Sequence, residues 1–468
     1  MKKLWKYSGL VLATLILSKT GLAQKINAFT AQQAIDYAKQ NSVQVKNALL
    51  DILIQKQTNR DITSIALPQI NGSAGVTYNI NVPVQTIPDF ISPSVYNVLI
   101  DQGVKNGNNG LPITYPAGGF DNLLFPFSSP WTANAGITLS QIIFDGQVFI
   151  ALKARDGTIS LQEKIAALTE ENIKANIYKV YYQLVAGKIQ ISLLDANISR
   201  LDKLKHDIQI MYDNGFSEKL DVDKLVVQIA NLQTEKRKAE NNIVNGYDGL
   251  KVLMGMPIRD SIVLTDTLND NKIRDGVLEA TQFKYSDRKE YQISEVTNAL
   301  NGLNVRRYKL MQIPTFSLQG GYSKQAQRLD FDFFNTGEWF TSSYIGLQMR
   351  VPIFNGFAVK SRIEKSKLEL QKTQNQTEAL KISIDREIEF SKNNFIAAIA
   401  SLDFQKENMV LAEKVYNQTR KKYEIGTGSA TEINNAQLDL QTAQTNYIIA
   451  LHDAIIAKVD FFKATGKL

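Results

Sequence analysis

The chain has 468 residues, two histidines, no cysteine and a formal charge of +7. The missing thiols exclude disulfides, cysteine metal sites and a lipid-bearing N-terminal cysteine, and His206 and His452 stand singly. Lys2, Lys3, Lys6 and Lys19 lie in an acid-free stretch whose removal leaves about +3, so no basic partner surface follows.

That stretch, residues 1–23, starts positive, runs apolar from Leu10 to Leu17 and ends in small residues at Gly21 and Ala23. It is too short to span a bilayer core of about 30 Å and has the layout of a cleaved secretory signal. From Ile70 the apolar period is two. Ile70, Gly72, Ala74, Val76, Tyr78, Ile80 and Val82 face one way and Asn71, Ser73, Gly75, Thr77, Asn79 and Asn81 the other, which predicts a strand over about 68–82. A turn-rich connection, 83–130, holds seven of the eleven prolines. A second strand over 131–144 sets Trp131, Ala133, Ala135, Ile137 and Leu139 against Thr132, Asn134, Thr138 and Ser140.

Proline is absent from 131–256, and it costs about 3 kcal/mol inside a helix, so very long helices are permitted there. Ile191, Leu194, Ile198, Leu201, Lys205, Ile208 and Tyr212 alternate three and four apart, as do Val222, Leu225, Ile229, Leu232, Lys236, Ala239, Ile243, Gly246, Leu250 and Leu253. These are heptad seams, weakened by lysines, and predict a helical hairpin over about 146–255. Its first helix would be roughly 100 Å long at about 1.5 Å per residue. The bend falls at Asp213-Asn214-Gly215, with Gly215 suited to a left-handed turn and Ser217 placed to cap the next helix.

The second half repeats the first. Ile143-Phe144-Asp145-Gly146 recurs as Ile353-Phe354-Asn355-Gly356, Tyr212-x-x-Gly215 as Tyr423-x-x-Gly426, and Gly255 as Gly466. After a linker at 256–285, the second copy (286–468) carries strands over about 314–323 and 339–353 and a hairpin over about 356–466. Phe316, Leu318 and Tyr322 oppose Thr315, Ser317 and Gln319; Trp339, Ile345, Leu347, Met349 and Val351 oppose Ser342, Gln348 and Arg350. The helical seams keep their register, through Leu402, Gln405, Met409, Ala412, Tyr416, Thr419 and Tyr423, then Ile433, Ala436, Leu440 and onward to Ala464. Ser429-Ala-Thr-Glu432 has the spacing of a capping box.

No segment after the signal offers about eighteen consecutive apolar residues, so a membrane-spanning mature chain must use strands. Four strands do not close a barrel, whose smallest single-chain form has about eight, and an open edge in lipid strands its backbone groups. Several chains would therefore have to contribute. A soluble sheet with one wet face alternates in the same way. The signal segment, Trp131 and Trp339 near strand ends, and the duplicated strand pairs favour the membrane.

Ala66-Leu67-Pro68 before a strand, Ile353-Phe354-Asn355-Gly356 after one and Arg420-x-x-Tyr423-x-x-Gly426-Thr427 at a bend, in an order that occurs twice, resemble the TolC family of outer-membrane efflux proteins over nearly the whole mature chain. The resemblance implies a mainly α fold with a transmembrane β portion: a duplicated unit of long coiled-coil helices and two strand pairs. A homotrimer would form a twelve-stranded barrel in the outer membrane and an α-helical barrel in the periplasm, with 256–285 and the C-terminal end forming a belt around its middle. It also implies passive conduction from a periplasmic adaptor and an inner-membrane transporter, without cofactor.

The family narrows its periplasmic entrance with acids just after the bend glycines, and the matching positions are Asp221 and Glu432. Asn435 stands where relatives often carry a second acid, and Gly428 where some carry a locking arginine; Tyr423 is kept. Acids at a helix start also complement the helix dipole without any pore role. Asn214-Gly215-Phe216 and Ile425-Gly426-Thr427 match the places where relatives meet adaptor hairpin tips. Pro68 and Pro314 are 246 apart and Phe144 and Phe354 only 210, so the first strand connection is 36 residues longer. Such long connections lie on the extracellular side of barrels, where this one is expected to fold over the mouth or to remain a solvated loop.

With no P-loop or dinucleotide fingerprint, no catalysis is expected. The competing classes are a structural coiled-coil protein of the periplasm or surface, and an adaptor. The adaptor fits less well because it should have one hairpin where this chain has two.

Overall fold

The computed structural model describes residues 27–82, 84–108, 110–126, 128–268, 273–274, 282–335 and 337–468. The signal segment 1–23, Pro83 and parts of the 256–285 linker lie outside the described residues. The chain divides into two units, one of 59–152 with 306–363, the other of residues up to Thr58 with 153–305 and 364–468.

The first unit holds a four-stranded antiparallel sheet of β2 (Gln69–Tyr78), β5 (Trp131–Phe144), β7 (Thr315–Arg328) and β8 (Phe340–Arg350), in the order β2-β5-β7-β8. The register sorts its side chains onto two faces. Ile70 is level with Leu139, Gly72 with Ile137, Val76 with Ala133 and Tyr78 with Trp131; Ile137 is level with Tyr322, and Leu318 with Leu347. That face is mainly apolar. The other carries Asn71, Ser73, Thr138, Gln319, Ser323, Ser342 and Gln348, and the Gln319 amide donates to Gln348 at 2.5 Å. β2 and β8 are the two edges, and every residue of both is exposed.

The connection 83–130 is more than turns. It contains an antiparallel pair, β3 (Val84–Ile87) with β4 (Leu123–Pro126), and a helix, α3 (Ile91–Asp101). Asp89 accepts from the backbone N–H groups of Ile91 and Ser92 at 3.0 and 2.9 Å, which starts the helix. Tyr96, Tyr115 and Phe120 pack ring to ring, with centroids 5.3 Å apart for Tyr96–Phe120 and 5.7 Å for Tyr115–Phe120. The turn-rich connection thus holds more than the sequence reading foresaw: an aromatic nucleus gives the segment a small fold of its own.

The second unit is helical. Two hairpins repeat almost residue for residue, α4 (Gly146–Asp213) with α5 (Lys219–Met254), and α7 (Ala358–Glu424) with α8 (Ala430–Ala464), at 68 and 36 residues against 67 and 35. The helices α1 (Ala31–Asn41), α2 (Val43–Ser64) and α6 (Lys289–Lys309) precede the strand pairs. Thr30 and Gln33 form a full capping box on α1, whose Ala31, Ala34, Ile35 and Ala38 bury against Ile173, Ile177 and Tyr181 of α4 and Leu250 and Met254 of α5. A short parallel pair, β1 (Asn27–Phe29) with β6 (Ile262–Leu264), joins the start of the chain to the linker.

The α4 seam needs a correction. Leu194, Leu201 and Ile208 are buried as expected, but Asn197 and Leu204 lie between them, while Ile198 and Lys205 are only half-buried. Both registers share every seventh residue; the polar one wins because Asn197 is hydrogen-bonded. It donates to Gln444 Oε1 at 3.1 Å and accepts from Gln437 at 3.0 Å, both on α8.

Candidate functional site at the hairpin bends

Each bend follows from a helix that must end. At the first, Phe216 N–H donates to Met211 C=O at 2.8 Å and Gly215 N–H to Tyr212 C=O at 2.9 Å; at the second, Thr427 N–H donates to Lys422 C=O and Gly426 N–H to Tyr423 C=O, both at 3.0 Å. This doubled closure needs a left-handed residue, and the glycines supply it with φ of 82° at Gly215 and 76° at Gly426.

The restarts differ. Ser429 caps α8 by accepting from Glu432 N–H at 3.1 Å. Ser217 does not cap α5: the cap position falls one residue later on Glu218, which makes no side-chain cap bond. The predicted Ser217 cap is therefore wrong: both caps fall three residues after the bend glycine, where the second copy has Ser429 and the first has Glu218, so Ser217 stands one position too early.

The two bends meet. Val222 and Leu225 of α5 share a buried cluster with Leu204 and Ile208 of α4 and Ile433 and Ala436 of α8, and Tyr423 packs against it. The Tyr423 hydroxyl donates to Met211 Sδ at 3.2 Å across the hairpins. Its pKa is raised, first by burial and then by the Asp221 and Asp207 carboxylates nearby, so the ring stays neutral at physiological pH. Asp221 is half-buried and paired with Lys224 at 3.3 Å.

Glu432 and Asn435 lie exposed on the first turns of α8. At Gly428 an added Cβ would sit 3.0 Å from Tyr423 N and 3.2 Å from Lys422 C, so the turn itself favours glycine. Asn214, Gly215, Phe216, Ile425, Gly426 and Thr427 are all exposed; Phe216 is 79% and Ile425 74% accessible.

The structure thus joins Tyr423 to Asp221 and leaves Glu432 and Asn435 open. Sequence reading missed Met211, Asp207 and the Asn197–Gln437–Gln444 network. Gln437 and Gln444, seven apart beside the α8 seam, were the available signal.

Residues 304–467 match the family model described as outer membrane efflux protein. The chain is 20% identical over 339 residues to the outer membrane protein TolC of Vibrio cholerae, covering 72% of this chain and 77% of that protein. It is 20% identical over 348 residues to the outer membrane efflux protein BepC of Brucella suis, covering 72% and 73%. Among solved structures, CusC superposes with a TM-score of 0.73 at 13% identity, covering 95% of each chain. VceC of Vibrio cholerae gives 0.69 at 15% identity, covering 93% of this chain and 96% of that one. Over residues 304–467 by the family model, and over nearly its whole length by fold, the chain is similar to outer membrane efflux proteins of the TolC kind.

Proposed function

We propose that this chain is the outer-membrane exit duct of a tripartite efflux or type I secretion system. It works as a homotrimer that passively conducts substrate delivered by a periplasmic adaptor and an inner-membrane transporter, and it extends from the outer membrane into the periplasm. The observation that carries this reading is the four-stranded sheet, apolar on one face, polar on the other and open at β2 and β8. Edges left open in lipid lose several kcal/mol per unpaired group. Three copies, each joining its β2 to the β8 of a neighbour, make twelve strands with no edge. The polar face then lines the lumen.

The helices support the same assembly. Ile382 and Ile396, and Phe390, Phe404 and Leu411, recur along α7 at multiples of seven and are exposed, a seam suited to the helices of another copy. At the bends, Asp221, Glu432, Asn435 and Tyr423 would narrow the periplasmic entrance. Asn214, Gly215, Phe216, Ile425, Gly426 and Thr427 would receive the adaptor, with Phe216 and Ile425 as its apolar anchors.

The chain's lack of cysteine makes a clean test available. With one cysteine at Ala74 of β2 and a second at Thr341, Ser343 or Ile345 of β8, oxidation in outer membranes should give a ladder that stops at three chains for at least one pairing. A ladder that never forms, or that runs past three, would refute the assembly.

A further inference from the structure

Besides the neutral Gln141, Thr341 and Ser343, two cations interrupt the apolar face of the sheet, Lys324 and Arg328. Along β7 that face reads Phe316, Leu318, Gly320, Tyr322, Lys324, Ala326 and Arg328, and Lys324 stands level with Ala135 of β5 and Thr341 of β8. Arg328, at the strand end, is bound within the protein: it donates to the Glu338 carbonyl at 2.9 Å. Lys324 is exposed and makes no ion pair among the described residues.

Its height on the sheet is marked by rings. One pair above it, Ala133 and Ala326 are covered by Phe333, within a chain of aromatics: Trp131–Phe331 at 5.0 Å, Phe331–Phe333 at 5.6 Å and Phe333–Trp339 at 6.2 Å. Such a belt marks the level of lipid headgroups in a membrane barrel. Lys324 lies directly beneath it, where an ammonium reaches the interface by extending its stem upward. Below Lys324 the face is hollow. Gly72, Ala74 and Ala135 are too small to fill the sheet surface, and with Ile137, Tyr322 and Lys324 they line a depression of about 680 Å³. A Cβ added at Gly72 meets nothing within 4 Å.

A cation at the upper rim and an apolar trough beneath it match an amphiphile with the opposite polarity. We propose that Lys324 and this hollow form a binding site for a phosphate-bearing lipid of the outer leaflet, with the phosphate on the Lys324 ammonium and part of an acyl chain lying over Gly72, Ala74 and Ala135. The proposal rests on the reading that the apolar face meets lipid.

The test uses the full-length trimer, purified from outer membranes in mild detergent and titrated with diphosphoryl lipid A, with the dephosphorylated lipid as control, by native mass spectrometry. Wild-type trimers should retain the diphosphoryl form at least tenfold more tightly than the control. Lys324→Leu should abolish that difference, Lys324→Arg should keep it, and Gly72→Phe, which fills the hollow, should weaken both lipids. Equal retention by wild-type and Lys324→Leu trimers, or no preference for the phosphate, would overturn the site while leaving the barrel intact. Failure of the wild-type chain to yield trimers from outer membranes would overturn the barrel reading, and the site with it.

Discussion

Asp221 and Glu432 occupy matching positions in the two copies yet stand in different electrostatic surroundings. Asp221 is half-buried and shares its charge with Lys224, whereas Glu432 lies exposed, its carboxylate in no ion pair among the described residues and its backbone N–H donating to Ser429. If both ring the entrance, Glu432 should dominate its field. Glu432→Gln is expected to lower the cation-over-anion permeability ratio in planar bilayers by about twofold or more, and Asp221→Asn by less. An unchanged ratio for Glu432→Gln would remove it from the pore. A second charge cluster is structural. Arg288, whose side chain is 4% exposed, donates to Glu290 at 3.1 and 3.2 Å, to Glu387 at 3.0 Å and to the Ala464 carbonyl at 2.8 Å. Burial pushes the Glu290 carboxyl upward, but the Arg288 guanidinium and hydrogen bonds outweigh it and hold it below the ordinary range. A carboxylate depressed in the folded state contributes stability above its unfolded pKa and loses it as pH falls through the lowered value. Glu290→Gln should therefore cost about 1–3 kcal/mol near neutral pH. The gap in melting temperature between wild type and variant should narrow below about pH 4; a gap constant down to strong acid would show that the charge is not what stabilises.

At the scale of elements, each hairpin closes on the segment that begins its own copy. α5 ends at Gly255 and α8 at Gly466, with φ of 71° and 70°. A Cβ at Gly255 would lie 2.2 Å from Asn41 O, and one at Gly466 2.7 Å from Asp287 O. At Gly215, φ is 82° but nothing stands within 4 Å. Gly215→Ala should thus carry only the left-handed penalty of about 1 kcal/mol. Gly255→Ala and Gly466→Ala should lose about 2–4 kcal/mol, Gly255→Ala the more, as read from thermal melting of the purified protein. Equal losses at all three would mean that the close approach is irrelevant. Those glycines were legible because they recur, and the four strands because one face is apolar, which forces strict alternation. The capping box at Thr30–Gln33 and the buried Ala31, Ala34, Ile35 and Ala38 carry a helix signal readable in the sequence but too short to make a heptad seam. β1 and β6, with three residues each, are too short to show any period. The α4 register was misread because a polar seam residue is visible only once its partners on α8 are known. Among the site residues, the bends were legible; the contact of Tyr423 with Met211 was not, since it joins residues 212 apart in sequence.

For the whole molecule, the 36-residue excess of the first strand connection is the largest departure from the duplication. That segment is folded around Tyr96, Tyr115 and Phe120, yet Ile91, Val95 and Val98 of α3 form an exposed apolar stripe at positions i, i+4 and i+7. Over 84–126 the only charged residues are Asp89, Asp101, Lys105 and Asp121. The apolar stripe of a helix is normally covered. In a trimer, three such lobes leave the barrel between β2 and β5 at the end where Asn79 N–H donates to the Pro130 carbonyl at 2.7 Å, and each has two other copies as the nearest apolar surface. Lobes that meet there narrow the external mouth; lobes turned outward leave it open. Replacing 86–126 by a short turn preserves the Asn79–Pro130 pairing that closes the strand pair, so the barrel should assemble unchanged. Single-channel conductance is then expected to rise by roughly twofold or more, and polar substitution of Ile91, Val95 and Val98 together should raise it in the intact lobe as well. Conductance that stays the same in the trimmed trimer would place the lobes outside the conduction path.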